Sequence, residues 1–437
     1  MDCACAPART YEMDSKAPVE TPVAQPKIAQ KMLLRFAILL FVLAALFFGY
    51  RWWQDYSKDP DLPLANDTNG FIAALQLHDD GSQAVAFLPD GTLRESPGYA
   101  DGKTDQDLTW RPDGNRLFFT SDREEASFHI YRWNFGSDRV MRRAYGSRSQ
   151  STPTFGAPDS PDANTAALIT AGGFVLEYEP RGGTTFQVLP PIGKERAADE
   201  EGGFGGQFEQ AYQRIGTSFR IAKWGKDKKV VVAVMRREEE GEILVVQRLD
   251  KVVGPQAVIA GERVEFDISP TTGEVFFSVS GFQYHDPNQI PPDAVKNGKV
   301  QVPFHNLVGM FDPEVGQIQP VMPSPDAVVG FRSVSVSADG SQLVCVAGKV
   351  DENGNFEPTD LVVLPARAQG GAEFKRVIQG KVYEPSWHPN SHTIAFVQYD
   401  TNKKRNIFTI NKDGSGLTDI SKGKGDFAHP LFSPQSK

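Results

Sequence analysis

One arrangement of residues recurs along most of this chain. A short strand ends in an apolar or aromatic residue, a turn rich in Pro, Asp, Asn or Gly follows, and a second apolar strand comes next. The clearest copy is TWRPDGNRLFFTSD, from Thr109 to Asp122, and related order appears in SVSVSADGSQLVCVAG and PSWHPNSHTIAFVQYD. Short apolar runs separated by turn residues are typical of all-β folds, and their recurrence indicates a repeat architecture.

The turn of each unit contains a residue with a definable role. An Asp or Asn side chain can accept hydrogen bonds from nearby backbone N–H groups, and a following Gly or Asn tolerates a positive φ. Six continuous units carry such turns, one near Thr272. We interpret the other turn residues as structural: Asp113, Asp162, Asp227, Asp339 and Asn390.

The two ends of the repeat region complete one further unit. DFAHPLFSPQSK at the C-terminus matches only the first strand and turn, and FIAALQLHDDGSQAVAFLPDGTLRES matches only the remaining three strands. A four-stranded sheet cannot bury both of its faces alone, but sheets stacked around an axis can. The sequence therefore predicts an all-β propeller of seven four-stranded blades, closed by a blade that both termini share; six blades result if one weak unit is discounted.

The stretch after Trp110 is crowded with charge, which raises the question of a catalytic site. As a copy of the repeat, it instead places aromatic residues between blades and its charged residues on a rim loop. The residues assigned to packing are Trp110, Phe118, Phe119 and Tyr131, and those assigned to the rim are Asp122, Arg123, Glu124, Glu125 and His129.

The W-x-P-D-G turn with its following apolar strand resembles the repeat of TolB-type propellers. The matching residues are Trp110, Pro112, Asp113, Gly114, Phe118, Phe119, Ile130 and Tyr131, and later Trp387, Pro389, Ile394, Phe396, Ile407 and Phe408. The resemblance implies a propeller that makes protein contacts, usually outside the bacterial cytoplasm. The sequence lacks the N-terminal α/β domain of TolB itself. It ends inside the last blade, so we do not expect the peptidase domain that follows some similar propellers.

An apolar segment precedes the repeats. No charge interrupts it between Phe36 and Tyr50, and its length approaches the roughly 20 residues that a spanning helix needs. We predict a transmembrane signal-anchor helix at 32–53 in contact with membrane lipid; the alternatives are a buried core helix and a cleaved signal peptide. The predicted order is a disordered cytoplasmic tail (1–31), the anchor, a linker (54–70) and the propeller (71–437).

The charges that flank this segment predict its orientation. Lys27, Lys31 and Arg35 precede its centre, which favours a cytoplasmic N-terminus. We therefore expect the propeller in the periplasm or outside the cell.

Composition and motifs exclude several functional classes. The net charge of -9 argues against a nucleic-acid partner, which calls for a basic surface. Cys345 has the surroundings of a buried strand residue, and Cys3 and Cys5 lack the nearby His of a metal site. No nucleophile elbow or phosphate-binding loop is present. We therefore assign no catalytic, cofactor-binding or metal-binding residue and expect a protein that is not an enzyme.

Function is expected where the repeat is interrupted. Insertions at Gly281–Asn306 and Gly348–Asp360 join second to third strands, and Pro191–Gly216 joins one unit to the next. This strand order places all three on one face, opposite the end at which the chain enters the propeller, and long loops of this kind are often functional. The candidate interaction residues are Phe204, Phe208, Tyr212, Phe282, Tyr284, His285, Phe304, His305 and Phe356.

These observations favour a membrane-anchored, non-catalytic scaffold that binds a protein partner on its membrane-distal face. The alternative is a propeller that binds a metal ion, a sugar or a cell-wall fragment in its central channel; a hydrolase that uses loop carboxylates ranks third. The first hypothesis predicts an exposed apolar patch on the face of the insertions. The second predicts carboxylates or amides that converge near the axis.

Overall fold

The chain divides into two units, Met1–Leu62 and Pro63–Lys437. The computed structural model describes residues 35, 38, 42, 70–112, 114–142, 151–155, 168–172, 175–179, 186–189, 211, 213–225, 229–237, 241–251, 253–281, 295–296, 299–300, 306–322, 329–351, 355–367 and 374–434.

Three described residues belong to the first unit. Arg35, Ile38 and Val42 are helical, and the other residues of the predicted anchor lie outside the described ranges. Within those ranges, no helix has both the length and the apolar character needed to cross a membrane.

The second unit is built from short antiparallel strands. Sheet 1 begins with β1 (Ile72–His78), β2 (Gly81–Phe87) and β3 (Leu93–Glu95). Sheet 2 contains β4 (Asp105–Trp110), β5 (Arg116–Ser121), β6 (His129–Asn134) and β7 (Arg139–Arg142). Sheet 3 contains β8 (Ser151–Phe155), β9 (Leu168–Gly172), β10 (Val175–Glu179) and β11 (Phe186–Leu189). Sheet 4 contains β12 (Ser218–Trp224), β13 (Val230–Arg236), β14 (Glu242–Arg248) and β15 (Gln256–Gly261).

The second half of the unit continues in the same way. Sheet 5 contains β16 (Arg263–Ile268), β17 (Val275–Ser280), β20 (Asn306–Asp312) and β21 (Gln317–Met322), with the hairpin β18 (Val295–Lys296) and β19 (Lys299–Val300) between β17 and β20. Sheet 6 contains β22 (Val329–Val336), β23 (Gln342–Val350), β24 (Phe356–Pro365) and β25 (Lys375–Gln379). Sheet 7 contains β26 (Val382–Trp387), β27 (Thr393–Tyr399), β28 (Arg405–Asn411) and β29 (Thr418–Asp419). The last strand, β30 (Asp426–Phe432), returns to sheet 1.

The described residues therefore form seven four-stranded sheets and one two-stranded hairpin. In sheets 2 to 7 the strands lie in chain order, and in sheet 1 the order is β3-β2-β1-β30. Strand β30 pairs with β1 from Leu77↔Asp426 to Ile72↔Phe432. The predicted sharing of one sheet by the two ends of the propeller is therefore confirmed.

The sheets contact one another in a ring. Strand β4 contacts β8, β8 contacts β12, and β14 and β15 contact β16. Strand β16 contacts β22, which contacts β26, which contacts β30, and β30 contacts β4. The prediction of an all-β propeller is confirmed. The first strands, namely β4, β8, β12, β16, β22, β26 and β30, are called the inner strands below.

Aromatic residues of the repeat fill the spaces between sheets. Trp110, Phe119 and Tyr131 pack with Trp133 against sheet 1, and Phe118 packs with Ile130 in a separate cluster. Each such buried side chain contributes about 1.5–3 kcal/mol of hydrophobic free energy. Trp110 Nε1 also donates a hydrogen bond to the Leu431 carbonyl of the preceding inner strand, at 3.0 Å. The packing role between sheets is confirmed for Trp110, Phe119 and Tyr131, whereas the contact of Phe118 with Ile130 lies within sheet 2.

Sheet 6 corrects one prediction and confirms another. Most of Gly348–Asp360 belongs to β23 and β24, and only residues 351–355 connect those strands. The prediction of a long loop was therefore wrong. The Gly, Asn, Asp and Pro residues of this stretch are typical of loops, but residues 348–350 pair with β24 and Val350 is buried. Cys345 is fully buried in β23, as expected for a small apolar strand residue.

Candidate interaction face

One end of the sheets carries the longest connections. Links from second to third strands, and from a fourth strand to the next sheet, all leave this end, which we call the insertion face. Gly281–Asn306 lies between β17 and β20, and Pro191–Gly216 lies between β11 and β12. Strand β1 begins at the other end, here called the turn face, because it is the second strand of its sheet.

Most of the sequence-predicted interaction residues lie outside the described ranges. These are Phe204, Phe208, Tyr212, Phe282, Tyr284, His285, Phe304 and His305. Residues 211 and 213–215 are helical, and Ile215 packs against the core cluster that contains Leu189 and Phe219. The end of this insertion therefore covers the core of the propeller.

Phe356 is described, and it packs against the core cluster that sheets 6 and 7 form. It is the first residue of β24 and is partly buried. The Arg332 guanidinium carbon lies 4.6 Å from the centre of the Phe356 ring. A Cβ atom at residue 348 would lie 2.5 Å from Phe356 Cζ. The glycine at 348 therefore makes room for the ring beneath Arg332.

Arg332 is held at the point where the insertion Gly281–Asn306 begins. Its Nε atom donates a hydrogen bond to Ser280 Oγ at 2.8 Å, and Ser280 is the last residue of β17. Burial lowers the pKa of Arg332, and the nearby charge of Glu265 partly opposes this effect. Among the described residues, no carboxylate oxygen lies within 4.0 Å of an Arg332 nitrogen.

The nearest acidic side chain is already engaged. Glu265 Oε1 accepts hydrogen bonds from Arg263 Nε and Nη2 at 2.8 and 2.7 Å. Glu265 Oε2 accepts the backbone N–H of Ser333 at 2.6 Å. Glu265 thus joins inner strands β16 and β22 rather than neutralising Arg332.

A second arginine on the insertion face has very different surroundings. Arg123, in the loop between β5 and β6, donates from Nη2 to Asp105 Oδ2 at 2.6 Å and from Nη1 to the Pro97 carbonyl at 2.8 Å. Its guanidinium carbon lies 4.9 Å from the Phe119 ring centre and 5.5 Å from that of Tyr131. The ion pair lies within sheet 2, and the hydrogen bonds from Arg123 to Pro97 and from the Ala84 N–H to Asp105 connect it to sheet 1. This is a structural role.

The rim residues near Arg123 form a small polar network. Glu125 accepts a hydrogen bond from Arg142 Nη1 at 2.7 Å and lies 3.1 Å from His129 Nε2. Both contacts lower the pKa of Glu125, and that of Arg142 is the larger effect. Burial, together with the charge of Glu124, raises the pKa of Tyr131 to about 12. The carboxylate of Glu125 is therefore engaged in pairing.

Inner strands also carry carboxylates, as the channel-ligand hypothesis predicts. Asp267 pairs with Lys223 Nζ at 2.9 Å and accepts the Val336 N–H at 2.9 Å. Glu384 accepts the His429 N–H at 2.6 Å. Each of these acids therefore connects neighbouring inner strands. Within the described ranges, no group of three or more His, Cys, Asp or Glu residues is arranged to hold a metal ion.

A backbone feature that the sequence did not reveal produces these connections. Asp107, Ser333, Glu384 and His429 have φ values of 55°, 56°, 52° and 53°, and each lies where the pairing register of its inner strand shifts. Such a bulge re-aims the local backbone. At Ser333 and His429 it directs the N–H toward a carboxylate of the preceding sheet.

The turn face shows the regular part of the repeat. Asp339 Oδ1 accepts hydrogen bonds from Ser337 Oγ at 2.6 Å and from the Ser341 N–H at 2.9 Å. Asn390 Oδ1 accepts the N–H groups of His392 and Thr393 at 2.9 and 3.0 Å. The other turn residues singled out from the sequence, Asp113, Asp162 and Asp227, lie outside the described ranges.

The exposed apolar side chains do not follow the sequence-based expectation. Leu249, Val253, Val315 and Ile318 are 37–62% exposed and lie in or beside the links from third to fourth strands of sheets 4 and 5. These links belong to the turn face. Of the large exposed apolar residues described, Tyr399, at the end of β27, and Met141, near the end of β7, lie toward the insertion face but on different sheets. An apolar patch on the insertion face is therefore not seen in the described part of the chain.

Comparison with known proteins finds likeness of fold. No family model matches the sequence, and no curated protein matches it. A TolB structure from Acinetobacter baumannii has 11% identity and a TM-score of 0.47, covering 85% of this chain and 68% of its own. A prolyl endopeptidase structure has 13% identity and a TM-score of 0.50, covering 80% of this chain and 48% of its own. An oligogalacturonate lyase in complex with manganese has 12% identity and a TM-score of 0.49, covering 80% and 85%. At these identities, the likeness concerns the fold alone.

Proposed function

We propose that this chain is a non-catalytic protein-interaction scaffold whose insertion face binds a protein partner. The observation that carries the proposal is that the long insertions in the repeat lie at one end of the sheets. Two long connections leave the same end of the sheets, and Arg332 and Phe356 form a cation–π contact at that end. Long connections on a rigid scaffold commonly carry binding residues. The proposal includes no catalytic residue and no cofactor.

We also infer that the seven sheets are seven blades around one axis. The cyclic contacts of the inner strands support this count. The apolar segment at 32–53 supports a membrane anchor, and the basic residues before it support a cytoplasmic N-terminus. The propeller would then lie in the periplasm or outside the cell. Because β1 begins at the turn face, the insertion face would bind its partner on the membrane-distal side.

A loop replacement tests the interaction proposal. Ser280 and Asn306 are directly paired, so residues 281–305 can be replaced by the two-residue turn Asn-Gly, which suits a hairpin. We expect cross-linked capture from cells to lose a specific partner with this variant. The control, Val315→Ser with Ile318→Ser, alters the turn face and should retain that partner. Unchanged partners in a variant with normal thermal unfolding would reject the proposal.

A labelling experiment tests the location. With Cys3 and Cys5 replaced by Ser, Val315→Cys places a single exposed thiol on the propeller, since Cys345 is fully buried. We expect a membrane-impermeant maleimide to label intact cells whose outer layers admit the reagent. Labelling that begins only after lysis would overturn the orientation.

A further inference from the structure

Arg332 offers unused hydrogen-bond donors on the insertion face. Its Nε atom is satisfied by Ser280 Oγ, and its guanidinium lies over Phe356. The two Nη groups have no hydrogen-bond acceptor among the described residues. A guanidinium presents these donors as a planar fork that matches a carboxylate. We propose that Arg332, supported by Phe356, binds a carboxylate group of the protein partner; this inference rests on the proposed function.

The surrounding charges favour a carboxylate over a phosphate. Glu265 is paired with Arg263, and the exposed Glu262 lies beside Gly281. Both acids act electrostatically on Arg332, as does the Arg263 guanidinium that Glu265 already pairs. The two acids would repel a doubly charged phosphate more strongly than a singly charged carboxylate. The site therefore suits a single carboxylate, from an acidic side chain or from a chain terminus.

The position of the arginine is fixed before any ligand arrives. The bond from Nε to Ser280 holds one edge of the guanidinium, and the aromatic face of Phe356 supports the plane. Because Gly348 leaves room for that ring, four strands of two sheets define the geometry. A preorganised donor pair binds with a smaller loss of side-chain entropy.

Peptide titrations test this site with the full-length protein. The probes are acetyl-tetraglutamate amide, acetyl-tetraglycine with a free C-terminal carboxylate, acetyl-tetraglycine amide and inorganic phosphate, each followed by NMR titration at low salt. We expect at least one carboxylate peptide to bind and the uncharged amide not to bind. The peptide that binds more tightly identifies the source of the carboxylate.

Variants of the two arginines of sheet 6 provide the comparison. Arg332→Gln should weaken binding by about tenfold or more, because a charge-assisted hydrogen-bond pair is lost. Arg332→Lys should bind with intermediate affinity, because it keeps the charge but loses the fork. The control Arg376→Gln removes a charge from outer strand β25 and should bind like the wild type.

Three results would overturn the inference: neither carboxylate peptide binds the wild type, Arg332→Gln and Arg376→Gln bind equally, or phosphate binds more tightly than both peptides. Partner capture separates this outcome from failure of the proposed function. If loop replacement removes the partner and Arg332→Gln retains it, the carboxylate site is rejected and the interaction proposal stands.

Discussion

Arg123 and Arg332 both lie on the insertion face above an aromatic ring, yet their polar surroundings differ. Arg123 has a carboxylate at 2.6 Å, and the side chains of Arg123 and Asp105 are 5% and 0% exposed. Arg332 has a hydroxyl at 2.8 Å and no close carboxylate among the described residues. The same chemical group is thus fully paired in one region and partly unpaired in the other.

The two arginines differ in pairing because one lies in a regular unit of the repeat and the other lies beside an insertion. Arg123 lies in the clearest copy, where Asp105 also accepts the Ala84 N–H of sheet 1 at 2.9 Å. Arg332 lies beside the insertion at Gly281, where the repeat is interrupted. Buried polar groups are costly unless they are paired, so the regular region uses its arginine to join sheets. We infer that an unpaired arginine beside an interruption is available for recognition.

Asp105→Ala should have the largest effect on stability. The substitution leaves the Arg123 guanidinium buried without its carboxylate, and breaking a buried ion pair in this way costs about 3–5 kcal/mol. Chemical denaturation would measure the loss in the free energy of unfolding. The control Lys381→Gln removes one member of a pair in which both side chains are exposed, and it should lower the free energy of unfolding much less. Equal losses in the two variants would remove the basis of the comparison.

Gly281→Ala should destabilise the region of Arg332 by about 2 kcal/mol. The residue has a φ of 61°, and a Cβ atom there would lie 2.4 Å from Glu262 Cγ. A left-handed conformation costs a non-glycine residue about 1–2 kcal/mol, and displacement of Glu262 adds to this cost. Gly98→Ala is the matched control, because Gly98 has a φ of 73° and no atom within 4 Å of the added Cβ. If both variants lose the same free energy of unfolding, the contact with Glu262 contributes nothing.

The sequence predicted the parts of the fold that local chemistry determines. Trp110 and the turn at Asp339 follow from strand alternation and turn residues that lie close together in the chain. The pairing of β30 with β1 joins distant segments, and it was predicted because the two ends carry complementary parts of one repeat unit. The pair Arg332–Phe356 could be predicted only in part. Phe356 was a candidate because it lay within the predicted insertion Gly348–Asp360, whereas a single Arg in a strand gives no signal. The contact depends on Ser280, Arg332 and Gly348, which three different strands bring together.

The bulges of the inner strands could not be predicted from the sequence either. Ser333 and Glu384 adopt a positive φ without being Gly or Asn, so no residue preference marks them. Contacts between neighbouring sheets stabilise these conformations, as the bond from the Ser333 N–H to Glu265 shows. Tertiary contacts of this kind override local preference.

The pH dependence of stability tests the same comparison on the turn face, where Asp339 is hydrogen-bonded much as Arg123 is paired on the insertion face. Burial alone would raise the pKa of Asp339, but hydrogen bonds from Ser337 and Ser341 outweigh it and lower the pKa. A lowered pKa in the folded state stabilises the protein above the unfolded value of about 3.9, and the contribution is lost as the pH falls toward the folded value. Asp339→Asn should therefore cost about 1 kcal/mol at neutral pH. The difference from the wild type should shrink below about pH 4 in urea denaturation; a difference independent of pH would contradict the assignment.

Arg332→Gln should have the smallest effect on stability, within about 0.5 kcal/mol. The substitution gives up the bond to Ser280 and the contact with Phe356, but it also removes a half-buried charge that lacks a close acidic partner. These contributions have opposite signs, in contrast with Asp105→Ala, where all changes are unfavourable. Urea denaturation of Arg332→Gln, Arg332→Lys and the wild type would measure the balance. A loss of several kcal/mol in Arg332→Gln would show that Arg332 is structural like Arg123, whereas near-neutral stability combined with weakened carboxylate binding would separate the two arginines by function.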